Sequence, residues 1–380
     1  MKGVGMNNAK KLGFGCMRLP LITTDAGEVI DTDQFCSMID EFIAKGFTYF
    51  DTAYMYHDYK SELAVRESLV KRHPRDSYTL ASKLPVFFMK EAGDNERYFQ
   101  EQLEKCGVDY FDYYLIHSLT HAHYDIAEKF GCFQFLQQMK DAGKIRYMGF
   151  SYHDDAELLD RILSEHPETD FVQLQVNYVD WESEGIQSRK CLEVANKHKK
   201  PVVVMEPVKG GTIASVPENA DKMFRDLQPD LSAASWAVRF AASQKGVFMV
   251  LSGMSNIEQL RDNISYMIDF VPLNEAELSV VYRAAGIIHE SVEIQCTACR
   301  YCVEGCPKNI AIPEYFSLYN EEKRSNPGGG FSVQQSYFAN YAMLRGKPSD
   351  CIECGACEDA CPQKLPIIEL LKKVSGVFEK

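Results

Sequence analysis

At 380 residues, with 46% hydrophobic and 25% charged content, the chain has room for one large or two unequal globular domains. A net charge of −13 leaves no basic footprint for sequence-independent nucleic-acid binding. No apolar stretch approaches the roughly 20 residues of a membrane span, and the N-terminus has no signal-peptide core. Membrane insertion is therefore not expected, and the cytoplasm is the expected compartment.

Leu12 to Gly15 reads as a first short strand, followed by a loop from Cys16 to Pro20. Apolar residues at Phe35, Met38, Ile39 and Phe42 give Asp33 to Lys45 a helical period, closed by Gly46. A second strand begins at Thr48 and carries Asp51, with Tyr56 five residues further on. A helix from Glu62 to about Lys71 precedes a third strand, Tyr78 to Lys83, and another helix spans about Asn95 to Lys105. The fourth strand, Phe111 to Ile116, closes on His117, and its helix is Phe133 to Asp141.

Strand five is Ile145 to Phe150, ending at Ser151, with a helix from about Asp155 to Glu165. Strand six, Phe171 to Val176, precedes a helix near Glu184 to Lys197, and strand seven is Pro201 to Met205. A seventh helix, Ser232 to Ser243, leads to strand eight, Val247 to Leu251, and to a helix from about Ile257. This alternation predicts an α/β fold, a closed (β/α)8 TIM barrel, with an open doubly wound sheet as the alternative. The first strand is not followed by G-x-G-x-x-G, which weighs against the dinucleotide-binding open sheet. A helix capped at Asn274 and Glu277 runs to about Ala285, and the domain boundary is placed near Gly286 to Glu293, giving units 1–287 and 288–380.

A carboxylate, a phenol, an ammonium and an imidazole thus stand at or just past the ends of separate strands, a set suited to protonating a carbonyl oxygen. Asp51, Tyr56, Lys83 and His117 resemble the catalytic tetrad of the aldo-keto reductases, and the family's D-T-A-x-x-Y motif is intact from Asp51 to Tyr56. The resemblance implies reversible hydride transfer between NADP(H) or NAD(H) and a small carbonyl or alcohol substrate. Tyr56 would be the general acid, with its pKa lowered by Lys83; Asp51 would pair with Lys83, and His117 would orient the carbonyl oxygen. Ser151, Gln175 and Met205 match positions around the nicotinamide, although Tyr152 replaces the family's frequent Asn and Met205 replaces an aromatic. Gly253, Gln259, Asp262 and Asn263 resemble the segment that binds phosphate and adenine. Because Gly253 and Gln259 stand where NADP-selective relatives often have Lys and Arg, modest discrimination for the 2′-phosphate is expected. His153 could line the substrate pocket, with an ordinary loop histidine as the favoured reading.

Thirteen cysteines in a chain without an export signal point to metal rather than disulfides. Cys16, Cys36, Cys106, Cys132 and Cys191 are scattered and are read as reduced core residues. The other eight repeat one spacing twice: Cys296, Cys299, Cys302, Cys306-Pro307, then Cys351, Cys354, Cys357, Cys361-Pro362. This is the bacterial-ferredoxin pattern for 4Fe–4S clusters, with zinc as the alternative metal. In two-cluster ferredoxins the fourth cysteine of each run serves the other cluster, so Cys361 would join the first run and Cys306 the second. The intervening segment is expected to be helical on both sides of Pro327 to Gly330. The chain therefore resembles aldo-keto reductases with a C-terminal, mostly helical, ferredoxin-like domain. Two further readings stay open: single-electron exchange with a redox protein partner, and a non-enzymatic redox sensor on a barrel scaffold.

Overall fold

The structure is a computed structural model describing residues 10–24, 27–183, 186–325 and 333–379. Its ten strands are β1 (Leu12–Gly15), β2 (Leu21–Thr24), β3 (Gly27–Ile30), β4 (Tyr49–Asp51), β5 (Thr79–Leu84), β6 (Phe111–Leu119), β7 (Ile145–Tyr152), β8 (Phe171–Gln175), β9 (Val202–Met205) and β10 (Val247–Gly253). Eight of them close into a barrel in the order β1-β10-β9-β8-β7-β6-β5-β4, and all its pairings are parallel. The remaining two, β2 and β3, form a separate antiparallel hairpin.

Alternation along the strands sorts side chains into two layers. Outward residues such as Phe14 and Phe50 stack on each other and meet Phe35 and Phe42 of the helix Thr32–Ala44. Inward residues Tyr49, Ala81, Tyr113, Leu115, Phe171, Val203, Met249 and Leu251 fill the barrel as their own cluster. Gly149 makes room in that layer, because a Cβ there would stand 2.5 Å from the Phe171 carbonyl oxygen. Two residues beyond this filling, on the same inward faces, lie Asp51, Lys83, His117, Ser151, Gln173 and Met205. The barrel core thus forms the floor of the site.

Three elements have no counterpart in the sequence reading: the exposed hairpin and the helices His121–Lys129 and Glu218–Leu227. The fourth and fifth barrel strands also run longer than expected, so His117 lies inside β6 and Ser151 inside β7. The predicted helix start at Glu184 lies outside the described residues; the helix is described over Ser188–Lys197. Of the scattered cysteines, Cys36 is only half-buried, and the other four are buried.

The capping box forms as the sequence suggests: Glu277 N donates to Asn274 Oδ1 at 3.0 Å, and Asn274 N to Glu277 Oε2 at 2.8 Å. Its helix, Glu275–Ser291, continues past Ala285. Ile288 packs in the barrel's outer core, whereas Ile294 belongs to a second core with Ile310, Tyr315, Phe316, Ile367 and Val374. The helices Ile312–Ser325, Val333–Leu344 and Ile367–Phe378 build that second unit. Pro327 to Gly330 lie outside the described residues. No helix among the described residues is long and apolar enough to cross a membrane.

Candidate active site

A cavity of about 350 Å³ opens at the C-terminal ends of the barrel strands. Asp51, Tyr56, Lys83, His117, Ser151, Gln175, Met205, Gly253, Gln259, Asp262 and Asn263, drawn from separate strands and loops, all line it.

At its floor, Lys83 is 1% exposed and donates from Nζ to Asp51 Oδ1 at 2.5 Å, Thr52 O at 2.8 Å and the Tyr56 hydroxyl at 3.3 Å. Three partners satisfy the three ammonium hydrogens, which is what a buried lysine needs to stay in place. Burial raises the Asp51 pKa while Lys83 and the Gln173 amide pull it down. The His117 ring stands edge-on to Tyr56, with centroids 6.0 Å apart. Burial, then Lys83, holds the His117 pKa well below the usual histidine range, so the imidazole is neutral at neutral pH.

Tyr56 sits at the start of a left-handed turn, with φ of 52°, 51° and 66° at His57, Asp58 and Tyr59. Three such non-glycine residues cost roughly 1–2 kcal/mol each. The His57 ring, accepting from Leu19 N at 3.0 Å, helps hold the turn. One expectation is corrected here. The Tyr56 pKa lies well above the ordinary tyrosine value, because burial and the Asp51 and Glu206 carboxylates disfavour a phenolate. Contact with Lys83 does not reverse this in the resting site, so Tyr56 keeps its proton.

Ser151 Oγ accepts from Ser118 N at 2.7 Å, leaving its own hydrogen to donate. Gln175 is more constrained: its Nε2 donates to Asp180 at 2.9 Å and to Gln363 at 3.1 Å, and its Oε1 accepts from Gln363 at 3.1 Å. At the other end, Asn256 caps the helix Ile257–Met267, Gln259 Oε1 accepts from Ser255 N at 2.8 Å, and Asp262 accepts from Ser232 at 2.7 Å. Asn263 Nδ2 donates to Ser252 at 2.6 Å. His153 lines the cavity, the less favoured of its two sequence readings, and burial drops its pKa to about 3.

Sequence reasoning missed Arg18, Gln173, Glu206, Thr297, Tyr301 and Gln363, which also line the cavity. Glu206 closes β9 with a φ of 55° and keeps Oε2 buried without a partner. A carboxylate directly after a strand of the barrel was the available signal for it.

The eight clustered cysteines sort into two small cavities. Cys296, Cys299, Cys302 and Cys361 line one, with Ile312, Phe316, Leu365 and Ile367. Cys306, Cys351, Cys354 and Cys357 line the other, with Ile310, Ile312 and Leu371. Each run therefore sends its fourth thiol to the other group. Four soft thiols inside an apolar wall suit an iron–sulfur cluster. Cys299 borders the large cavity as well, whereas Cys354 is exposed to solvent.

Comparison with known proteins agrees with the fold. Residues 11–284 match the aldo/keto reductase family, and residues 295–365 match a 4Fe-4S dicluster domain. The uncharacterized oxidoreductase YqkF of Bacillus subtilis is 24% identical over 291 residues, covering 67% of this chain and 86% of its own. Among solved structures, the holo form of aldo-keto reductase AKR11C1 from Bacillus halodurans superposes with a TM-score of 0.58 at 23% identity, over 72% of this chain and 91% of that one. An aldo-keto reductase from Klebsiella pneumoniae in complex with NADPH gives a TM-score of 0.58 at 22% identity, over 72% and 90%. With its barrel matched over most of the chain and a second match on the cysteine runs, the chain belongs to the aldo/keto reductase family and carries a 4Fe-4S dicluster domain at its C-terminal end.

Proposed function

We propose that the protein transfers hydride between NAD(P)H and the carbonyl carbon of an aldehyde or ketone, or catalyses the reverse oxidation. The observation that supports this best is the buried chain Asp51–Lys83–Tyr56 beside a neutral His117, at the floor of a cavity that extends to the loop after β10. NADPH, bound by the Klebsiella relative, would lie along that cavity. Its nicotinamide would face Ser151, Gln175 and Met205, and its phosphates and adenine would face Gly253, Gln259, Asp262 and Asn263. Ser151 has a hydrogen to give a carboxamide, whereas Gln175 retains only a second lone pair on Oε1. The N-terminus of the helix Ile257–Met267 favours phosphate through its backbone N–H groups. Neither Gly253 nor Gln259 adds a cation, so discrimination between NADPH and NADH would be modest.

When bound, the nicotinamide would supply the hydride. His117 orients the carbonyl oxygen, and Tyr56, protonated in the resting site, delivers its proton as negative charge develops there. The Lys83 ammonium then stabilises the phenolate left behind, and Asp51 fixes Lys83 for that task. The cysteine groups would hold two 4Fe–4S clusters, one on Cys296, Cys299, Cys302 and Cys361, the other on Cys351, Cys354, Cys357 and Cys306. The exposed side at Cys354 would serve electron exchange with a redox protein partner.

Tyr56→Phe tests the reading directly. Turnover should fall about 10²-fold or more, as for loss of a positioned general acid, with NADPH affinity nearly unchanged in a fluorescence titration. Wild-type turnover in that variant would rule out the assigned chemistry.

A further inference from the structure

The outer wall of the cavity does not come from the barrel. Thr297, Cys299 and Tyr301 of the first cysteine run line it, together with Pro362 and Gln363 directly after the second. One fastening is the Thr297 carbonyl, which accepts from Arg18 Nη2 at 3.0 Å. It lies so close to Gly210 that a Cβ there would stand 2.2 Å from that oxygen. Another is a closed ring of side chains, three from the barrel and one from the iron–sulfur domain.

Lys209 Nζ donates to Asp180 Oδ1 at 2.6 Å and to Gln363 Oε1 at 3.1 Å. Gln363 Nε2 donates to Gln175 Oε1 at 3.1 Å. Gln175 Nε2 donates back to Gln363 Oε1 at 3.1 Å and on to Asp180 Oδ2 at 2.9 Å, which closes the ring. All four residues are buried. Asn177 holds the carboxylate in place, its Oδ1 accepting from Asp180 N at 2.8 Å and its Nδ2 donating to Asp180 Oδ2 at 2.7 Å. Charge sets the direction of every bond, because an ammonium only donates and a carboxylate only accepts. Lys209 selects the oxygen end of the Gln363 amide, and Asp180 selects the nitrogen end of the Gln175 amide. Both Nε2 hydrogens of Gln175 are then occupied, and so is one lone pair of its Oε1. What Gln175 has left is a single acceptor. Without Gln363 it would keep a free N–H as well, and its amide could swing about the remaining bond to Asp180.

We propose that Gln363 is a positioning residue for the nicotinamide: by occupying one hydrogen of Gln175, it restricts that residue to accepting from the N–H₂ of the carboxamide. This rests on the nicotinamide reading above, and it places one determinant of cofactor recognition in the iron–sulfur domain rather than in the barrel. A buried acceptor that faces no donor is costly, so a site built in this way rejects an analogue without the donor.

The test compares NADP+ with its 3-acetylpyridine analogue, which keeps the carbonyl and lacks the N–H₂, by calorimetric titration of the full-length holoprotein. Wild type should bind NADP+ about 3- to 10-fold more tightly, the effect of one hydrogen bond. Gln363→Met, similar in shape but unable to bond, should bring that ratio toward parity. Gln363→Glu should preserve it, because the carboxylate introduced still accepts from Lys209 and from Gln175 Nε2. Iron content and visible absorbance show whether both cysteine groups remain loaded in the variants. Equal binding of the two nucleotides by wild type, an unchanged ratio in Gln363→Met, or the same loss of preference in both variants would overturn the proposal. Failure of the nicotinamide reading would appear instead as no binding of either nucleotide to wild type, and would take the proposal with it.

Discussion

A left-handed turn, a buried ammonium and three shifted pKa values gather around the floor of one cavity, and each has a physical cause. Tyr56 keeps its proton because burial and two carboxylates oppose the phenolate; His117 and His153 stay neutral because burial opposes the imidazolium. For His153 the consequence is a pH-dependent stability. Its folded pKa of about 3 lies below the unfolded value of 6.5, so the unfolded chain takes up the proton first as pH falls. The stabilising contribution is complete above about pH 6.5 and is lost as pH falls toward 3. At pH 5 the difference should amount to about 1–2 kcal/mol, at 1.36 kcal/mol per pKa unit with allowance for partial solvent access. Urea unfolding at pH 7 and pH 5 should therefore show a smaller acid penalty in His153→Gln than in wild type. Equal penalties would place the proton uptake elsewhere. The aldo-keto reductase motif made Asp51 and Tyr56 legible in the sequence, and Lys83 and His117 followed from strand ends. Arg18, Tyr301 and Gln363 were not legible, because they reach the cavity only through loop crossings and docking that no local pattern encodes.

Barrel strands were readable as elements because each is a short apolar run between a helix and a loop, and burial on both faces leaves little polar interruption. The β2–β3 hairpin escaped notice because Leu21, Ile22 and Val29 remain exposed and no apolar/polar alternation marks it. The helix Glu218–Leu227 buries only Ala220 and Phe224, so it rests on a narrow face. Between elements, the contact of the loop after β9 with the cysteine-bearing wall depends on a glycine. Gly210 has a φ of 65°, and a Cβ there would collide with the Thr297 carbonyl. Gly210→Ala should cost about 1–2 kcal/mol from the backbone alone, plus the displaced contact. Gly93, with a φ of 94° and nothing within 4 Å of a Cβ, provides the control. The urea midpoint should fall further in Gly210→Ala than in Gly93→Ala, and NADPH binding should weaken only in the former.

At the scale of the whole molecule, the two cysteine runs are interdependent. Cys361 stands with the first group and Cys306 with the second, so neither group is complete within its own stretch of sequence. With a cluster in each group, Cys306→Ser should deplete the cluster on Cys351, Cys354 and Cys357 more than its sequence neighbour, and Cys361→Ser should do the reverse. Iron content and EPR of the reduced variants distinguish the two. Loss of the sequence-adjacent cluster in each case would contradict the crossing. The repeated spacing made the groups legible; which of them faces the barrel was not, since both runs are alike locally. The placement of the wall also sets an order in time. The cavity takes residues from Gly15 to Gln363, so during synthesis the barrel leaves the ribosome with its catalytic face open to water. Only when the second cysteine run has emerged and exchanged its fourth thiol with the first can the pocket be enclosed, so a nascent barrel has no finished cavity until residue Gln363 has been translated.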